Sequence, residues 1–144
     1  LEPWIHSSMP SRLREPLKAG FEMAVQRLRA MPSCRGLFSR LGADPFETLA
    51  SCRYFPVGSY GRELELCGPN PTATSHVAGN LAFTSVGGCA TFTCRRFERA
   101  DREKAAVLII HEALHHAGLT EWPHDRLAMR SCEITEMVEE ACGF

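Results

Sequence analysis

Apolar residues recur at intervals of three and four from Leu13 to Ala30, so Leu13, Leu17, Phe21, Ala24, Val25 and Leu28 would share one face of a helix. Pro16 fits the first turn of that helix, and Pro32 closes it. From Ser33 to Cys52 the pattern is mixed, with a short helix expected over Pro45 to Ser51. Glycines and prolines between Tyr54 and Pro71 predict loops around one strand, Arg62 to Leu66. Asn80 to Val86 and Cys89 to Cys94 read as strands rich in Phe, Thr and Val. The Gly87-Gly88 pair between them suits a tight hairpin.

The strongest element runs from about Arg102 to Ala117. Asp101 is placed to cap its N-terminus, and Gly118 to end it in the left-handed conformation. Its stretch Ala105 to Ile110 is apolar on every side, which predicts a helix buried near the centre of the domain. A last helix, Ser131 to about Cys142, carries Ile134, Met137, Val138 and Ala141 on one face. The expectation is a single α+β domain over residues 1–144. A hairpin provides the sheet, the first helix backs it, and disulfides staple the whole.

Composition narrows the functional classes. The 44% hydrophobic and 23% charged residues are an ordinary globular mixture. Sixteen basic against seventeen acidic side chains leave no cationic excess to neutralise a phosphate backbone, so nucleic acid is not an expected partner. The longest apolar run, Ala105 to Ile110, falls far short of the ~20 residues that span a bilayer. Seven dispersed cysteines without a Cys-x-x-Cys pair suggest disulfides and a secreted or periplasmic address. The start at Leu1 without a hydrophobic leader is read as a mature or trimmed form. Cys89 and Cys94 would lie about 16 Å apart on one strand. Cys132 and Cys142 would lie about 15 Å apart on one helix. Neither pair can bond internally. The expected pairings are therefore Cys94 with Cys142 and Cys89 with Cys132, leaving at least one cysteine free or paired between molecules.

Chemistry concentrates on the buried helix, at His111-Glu112-Ala113-Leu114-His115. Side chains four apart share a helix face, so both imidazoles can reach one metal ion from successive turns. Glu112, one step round, can take a proton from a water held by that ion. Zinc suits imidazole nitrogen and carboxylate oxygen, and it needs a third protein ligand that leaves one position open. The alternative is a set of core residues satisfied by other partners, but burying two histidines and a glutamate is costly unless each finds one.

The longer stretch from His111 through Gly118 to Glu121 resembles the zinc signature of metzincin metallopeptidases. In that signature a glycine permits a sharp turn and a third ligand follows three residues later. The resemblance implies Glu121 as that ligand, where metzincins carry histidine or aspartate. Two rivals remain: His124, and Glu133, whose distance beyond His115 resembles the gluzincin arrangement. Residues from about Phe92 through Cys142 also resemble small secreted bacterial proteins of uncertain function. Their pattern is a His-Glu-Ala-Leu-His helix, then Gly-Leu-x-Glu, then a helix opening Glu-Ile-Thr and ending near a cysteine, here Glu133-Ile134-Thr135 and Cys142. Both likenesses imply a zincin-like fold and peptidase activity.

The expected function is thus a monomeric zinc peptidase acting on a peptide or protein substrate. His111, His115 and Glu121 hold Zn2+, and Glu112 serves as general base and then acid. The competing expectation is a secreted zinc-binding interaction module without a working cleft. A third is a latent enzyme whose free cysteine occupies the open zinc position. Met129 stands where metzincins place a methionine beneath the metal, although a core gap-filler is the simpler reading. If Glu121 binds, His124 could donate to the developing oxyanion. His116, about 100° round from His115, is expected beside the site or exposed. Tyr54 and Tyr60 are expected in packing or on the surface, and His6 and His76 carry no signal.

Overall fold

A computed structural model of the protein describes residues 1–56, 82–84 and 86–144. The elements are strand β1 (Trp4–Ile5), helices α1 (Ser11–Ala30), α2 (Pro32–Ser39) and α3 (Pro45–Ser51), and strands β2 (Arg53–Pro56), β3 (Ala82–Thr84) and β4 (Ala90–Thr93). A 3-10 turn (Arg95–Arg99) then leads into α4 (Arg102–His116), and α5 (Ser131–Cys142) follows. The fold is mixed α and β around one small sheet.

Local chemistry explains most of the boundaries. Asp44 caps α3 by accepting from the Phe46 and Glu47 N–H groups at 2.9 Å each, and Pro45 fills the first helical position. Asp101 caps α4 in the same way, accepting from Lys104 N–H at 2.8 Å. At its far end the Leu119 N–H reaches the Leu114 carbonyl and the Gly118 N–H the His115 carbonyl. This paired closure requires a left-handed residue, and Gly118 sits at φ +112°.

Several elements depart from expectation. α1 starts at Ser11, which moves Pro16 into the second turn. Pro32 ends α1 and also opens α2, because a proline at the first helical position gives up an N–H that would be unpaired anyway. β1 and β2 are two and four residues long, too short for an alternating pattern to stand out. The expected strand Arg62 to Leu66 lies outside the described residues, as do Tyr60 and His76.

The sheet order is β1-β2-β4-β3. β1, β2 and β4 run parallel, and β3 returns antiparallel on β4 as the outermost of the described strands on that side. Thr84 opposite Thr91 and Phe83 opposite Phe92 is the register of a hairpin centred on Gly87-Gly88. Tyr54, Thr91 and Thr93 turn their side chains to one face of the sheet and are buried. α1 and α4 lie on that side, where the Phe21 ring meets Tyr54 edge-on at 6.3 Å. The opposite face carries the Trp4, Phe55 and Phe92 rings in a row.

α4 is buried nearly all round, and α1 packs along it at close range. The approach is set at Gly20, where a Cβ would stand 2.5 Å from Ala105 Cβ and 2.9 Å from the Ala105 carbonyl carbon. α5 packs on α4 and α2. Its end is bonded to α2 through the Cys34–Cys142 disulfide, with Cα atoms 4.6 Å apart. Closing a span of 108 residues is worth about 4–5 kcal/mol in unfolded-state entropy.

The expected pairings are therefore corrected. Cys142 joins Cys34 rather than Cys94, which is itself disulfide-bonded, and Cys89 and Cys132 are free thiols. Excluding pairs within one element was sound, but α2 was not foreseen as an element, so its cysteine was not weighed. No helix among the described residues is long and apolar enough to cross a membrane.

The Gly20 contact has a measurable consequence. Gly20→Ala should force α1 from α4 and lower stability by about 1–3 kcal/mol. For a chain of this size that is a Tm fall of roughly 3–10 °C. An unchanged Tm would mean the two helices do not meet this closely.

Candidate metal centre

The α4 helix brings His111 and His115 onto one face, and their Nε2 atoms stand 3.1 Å apart. Both rings are buried, at 3% and 5% exposure. Beyond the Gly118 turn the chain doubles back, which sets Glu121 Oε1 3.1 Å from His115 Nε2 and 3.5 Å from His111 Nε2. These three residues form a cluster able to hold a metal ion.

Second contacts fix both rings. His115 Nδ1 donates to the Leu119 carbonyl at 2.7 Å. A carbonyl only accepts, so Nδ1 carries the proton and the neutral ring presents a lone pair at Nε2. His111 Nδ1 meets Thr135 Oγ1 of α5 at 2.9 Å. Glu121 is held by its own loop. Its carbonyl accepts from Asp125 N–H, the Asp125 carboxylate takes the Thr120 hydroxyl and Leu127 N–H, and Trp122 N–H reaches the Met129 carbonyl.

This donor set calls for a cation. A lone pair on His115 Nε2 and a carboxylate oxygen 3.1 Å away repel unless a positive charge lies between them. Ligands about 2.0–2.1 Å from one tetrahedral ion stand about 3.3 Å from each other. The observed separations of 3.1, 3.1 and 3.5 Å bracket that value. A proton can stand in for the ion. Burial opposes charge on His115, but the Glu121 carboxylate, the Glu112 charge and the Leu119 carbonyl outweigh it and raise its pKa. Burial also opposes charge on Glu121, yet hydrogen bonds from His111 and His115 lower it to about 2.

Glu112 is 5% exposed, and burial raises its pKa against the opposing charges of His111 and His115. It bonds the Thr84 side chain on β3. Its other oxygen, Oε2, is buried without a partner among the described residues, as is Thr93 Oγ1, while buried Tyr54 Oη meets the Cys52 thiol. All three residues line one small gap between α4 and the sheet.

No family model, curated protein or solved structure matches the chain.

The structure separates the rival third ligands. Glu121 joins the cluster. His124 is exposed in the following loop and does not join it. Glu133 accepts from Arg130 N–H at 3.2 Å, capping its own helix, so that carboxylate is already engaged. Met129 is half-buried against the hydrophobic core, the simpler of its two readings. His116 ties Gly88, through its carbonyl, to Ser51 Oγ at 3.0 Å and takes no part in the cluster. Sequence reasoning missed Thr135, the residue that orients His111. Its only signal was a place in the Glu-Ile-Thr opening of α5.

Without metal the site has a pH signature. Glu121 stabilises when ionised, so its contribution is present above its usual 4.5 and is lost as pH falls through about 2. His115 stabilises when protonated, so its contribution is full below 6.5 and is lost as pH rises through its raised value. Buried Glu112 pulls the same way as His115. Chelated protein should therefore lose Tm as pH rises above about 6.5, and a flat profile would contradict the His115–Glu121 pairing. Thr135→Val should weaken metal binding about 10–100-fold by freeing the His111 ring, read by competition with a chromophoric chelator.

Proposed function

We propose that the protein is a zinc-dependent peptidase on a zincin-like scaffold. The observation that carries this reading is the convergence of His111 Nε2, His115 Nε2 and Glu121 Oε1 within 3.1–3.5 Å, beside a buried glutamate. Two nitrogens and one carboxylate oxygen are a donor set natural to zinc, and three protein ligands leave room for solvent. When bound, such an ion supplies Lewis acidity toward a substrate carbonyl and a water molecule.

The remaining work falls to the chain. Glu112 takes the proton of the attacking water and returns it to the leaving amine, which needs a carboxyl whose pKa lies near the working pH. Burial moves Glu112 in that direction. The Leu119 carbonyl and Thr135 hydroxyl hold the two imidazoles in register. Among the described residues β3 is the outermost strand on its side, and an extended peptide adding to it would lie next to the Glu112–Thr84 contact. The Cys34–Cys142 disulfide supports a secreted or periplasmic location.

A second reading is a secreted zinc-binding interaction module without turnover. It is favoured by the burial of Glu112 Oε2 and by the place of Glu112, with Tyr54 and Thr93, in the lining of a small gap between α4 and the sheet. A carboxylate committed to that gap would not serve an incoming water.

Glu112→Gln separates the two. On the peptidase reading, zinc content stays at one per chain while turnover of a susceptible peptide falls at least ~10²-fold. His111→Ala and His115→Ala should each lose the metal by elemental analysis. Zinc-loaded wild type inert toward a broad peptide library would overturn the peptidase and leave the binding module.

A further inference from the structure

Two free thiols lie side by side at the start of the parallel ladder. Cys52 ends α3, immediately before β2, and Cys89 immediately precedes β4. The ladder begins with Arg53 opposite Ala90, and the Arg53 N–H donates to the Cys89 carbonyl at 2.8 Å. One step back along the register, Cys52 stands beside Cys89. The buried Cys52 thiol donates to the Thr48 carbonyl at 3.3 Å and lies near enough to the exposed Cys89 thiol for the two to interact electrostatically. Neighbouring strands lie about 4.8 Å apart, inside the roughly 4.4–6.8 Å range of Cα separations in disulfides.

A second contact holds the same corner. The His116 imidazole bonds Ser51 Oγ on one side and the Gly88 carbonyl on the other. These residues directly precede the two cysteines. The Gly87 N–H also reaches the His115 carbonyl at 2.8 Å, so α4 pins the hairpin turn from below. Access is asymmetric, since Cys89 is exposed and Cys52 is 1% exposed. Neither belongs to the metal cluster.

We propose that Cys52 and Cys89 are a redox-active dithiol that closes to an intramolecular disulfide by exchange with a small-molecule disulfide. The Cys89 thiolate attacks one sulfur of the oxidant, forms a mixed disulfide and expels one thiolate. The Cys52 sulfur, losing its proton, then attacks Cys89 Sγ and expels the second thiol. Two protein thiols are oxidised and one disulfide is reduced to two thiols, so electrons and protons balance. Entry is at Cys89 because burial, with a smaller contribution from the charge on Cys89, pushes Cys52 up to about 12. Bridging removes that repulsion and ties the turn beside His116 to the α3–β2 corner.

The test uses the intact protein, incubated with oxidised glutathione, denatured, alkylated and mapped by mass spectrometry without reduction. The peptides carrying Cys52 and Cys89 should leave the alkylated pool at least tenfold and return as one cross-linked species, while exposed Cys132 is recovered either alkylated or carrying glutathione, never cross-linked. Cys52→Ala should arrest the reaction with glutathione on Cys89, and Cys89→Ala should leave Cys52 alkylatable. Wild-type Cys52 still alkylated after oxidation, or either cysteine found joined to Cys132 or to a second chain, overturns the proposal.

Discussion

The arrangement depends on holding three acceptors at contact distance in a largely apolar interior. With both Nε2 atoms deprotonated, His111, His115 and the Glu121 carboxylate would repel one another unless a proton or metal ion lay between them, and water is largely excluded from two of them. Each is restrained by a different part of the fold. His115 is bonded to the carbonyl of Leu119, a residue placed by the helix termination itself. His111 is bonded from α5, and Glu121 is held by the loop that Asp125 organises. A cluster assembled by such unlike devices is expensive to keep without a cation, and this is the physical basis for reading it as a metal centre.

The surrounding architecture makes the restraint stiff. α4 is buried on nearly every side, with α1 against it at the Gly20 contact and α5 across it. The Cys34–Cys142 bridge ties α5 to α2, which limits how far Thr135 can drift from His111. Side chains set on packed helices hold position better than side chains on loops. Only Glu121 comes from a loop, and it is the most exposed of the three. That exposure marks the side of the cluster open to solvent.

Much of this was legible because it is local. The His111–His115 spacing, the Asp101 cap, the Gly118 termination and the apolar middle of α4 are all encoded within a few positions of where they act. The α3 limits and the hairpin register followed from cap and turn residues in the same way. β1 and β2 were not legible, since strands of two and four residues gain their stability from neighbours rather than from their own pattern. α2 is hidden in the sequence because Pro32 both ends one helix and opens the next.

The amino-acid sequence by itself determined the helix that carries the two imidazoles, the glutamate beside them and the sharp turn that follows. Helix periodicity and capping act over one or two turns and need no distant partner. Tertiary structure alone decided that Glu121 completes the cluster while Glu133 serves a helix cap. It also decided that Thr135 steadies His111 and that Cys142 finds Cys34. Those outcomes depend on which buried surfaces meet; spacing after Gly118 points to Glu121 without ranking it over its rivals, and carries no record of the other two.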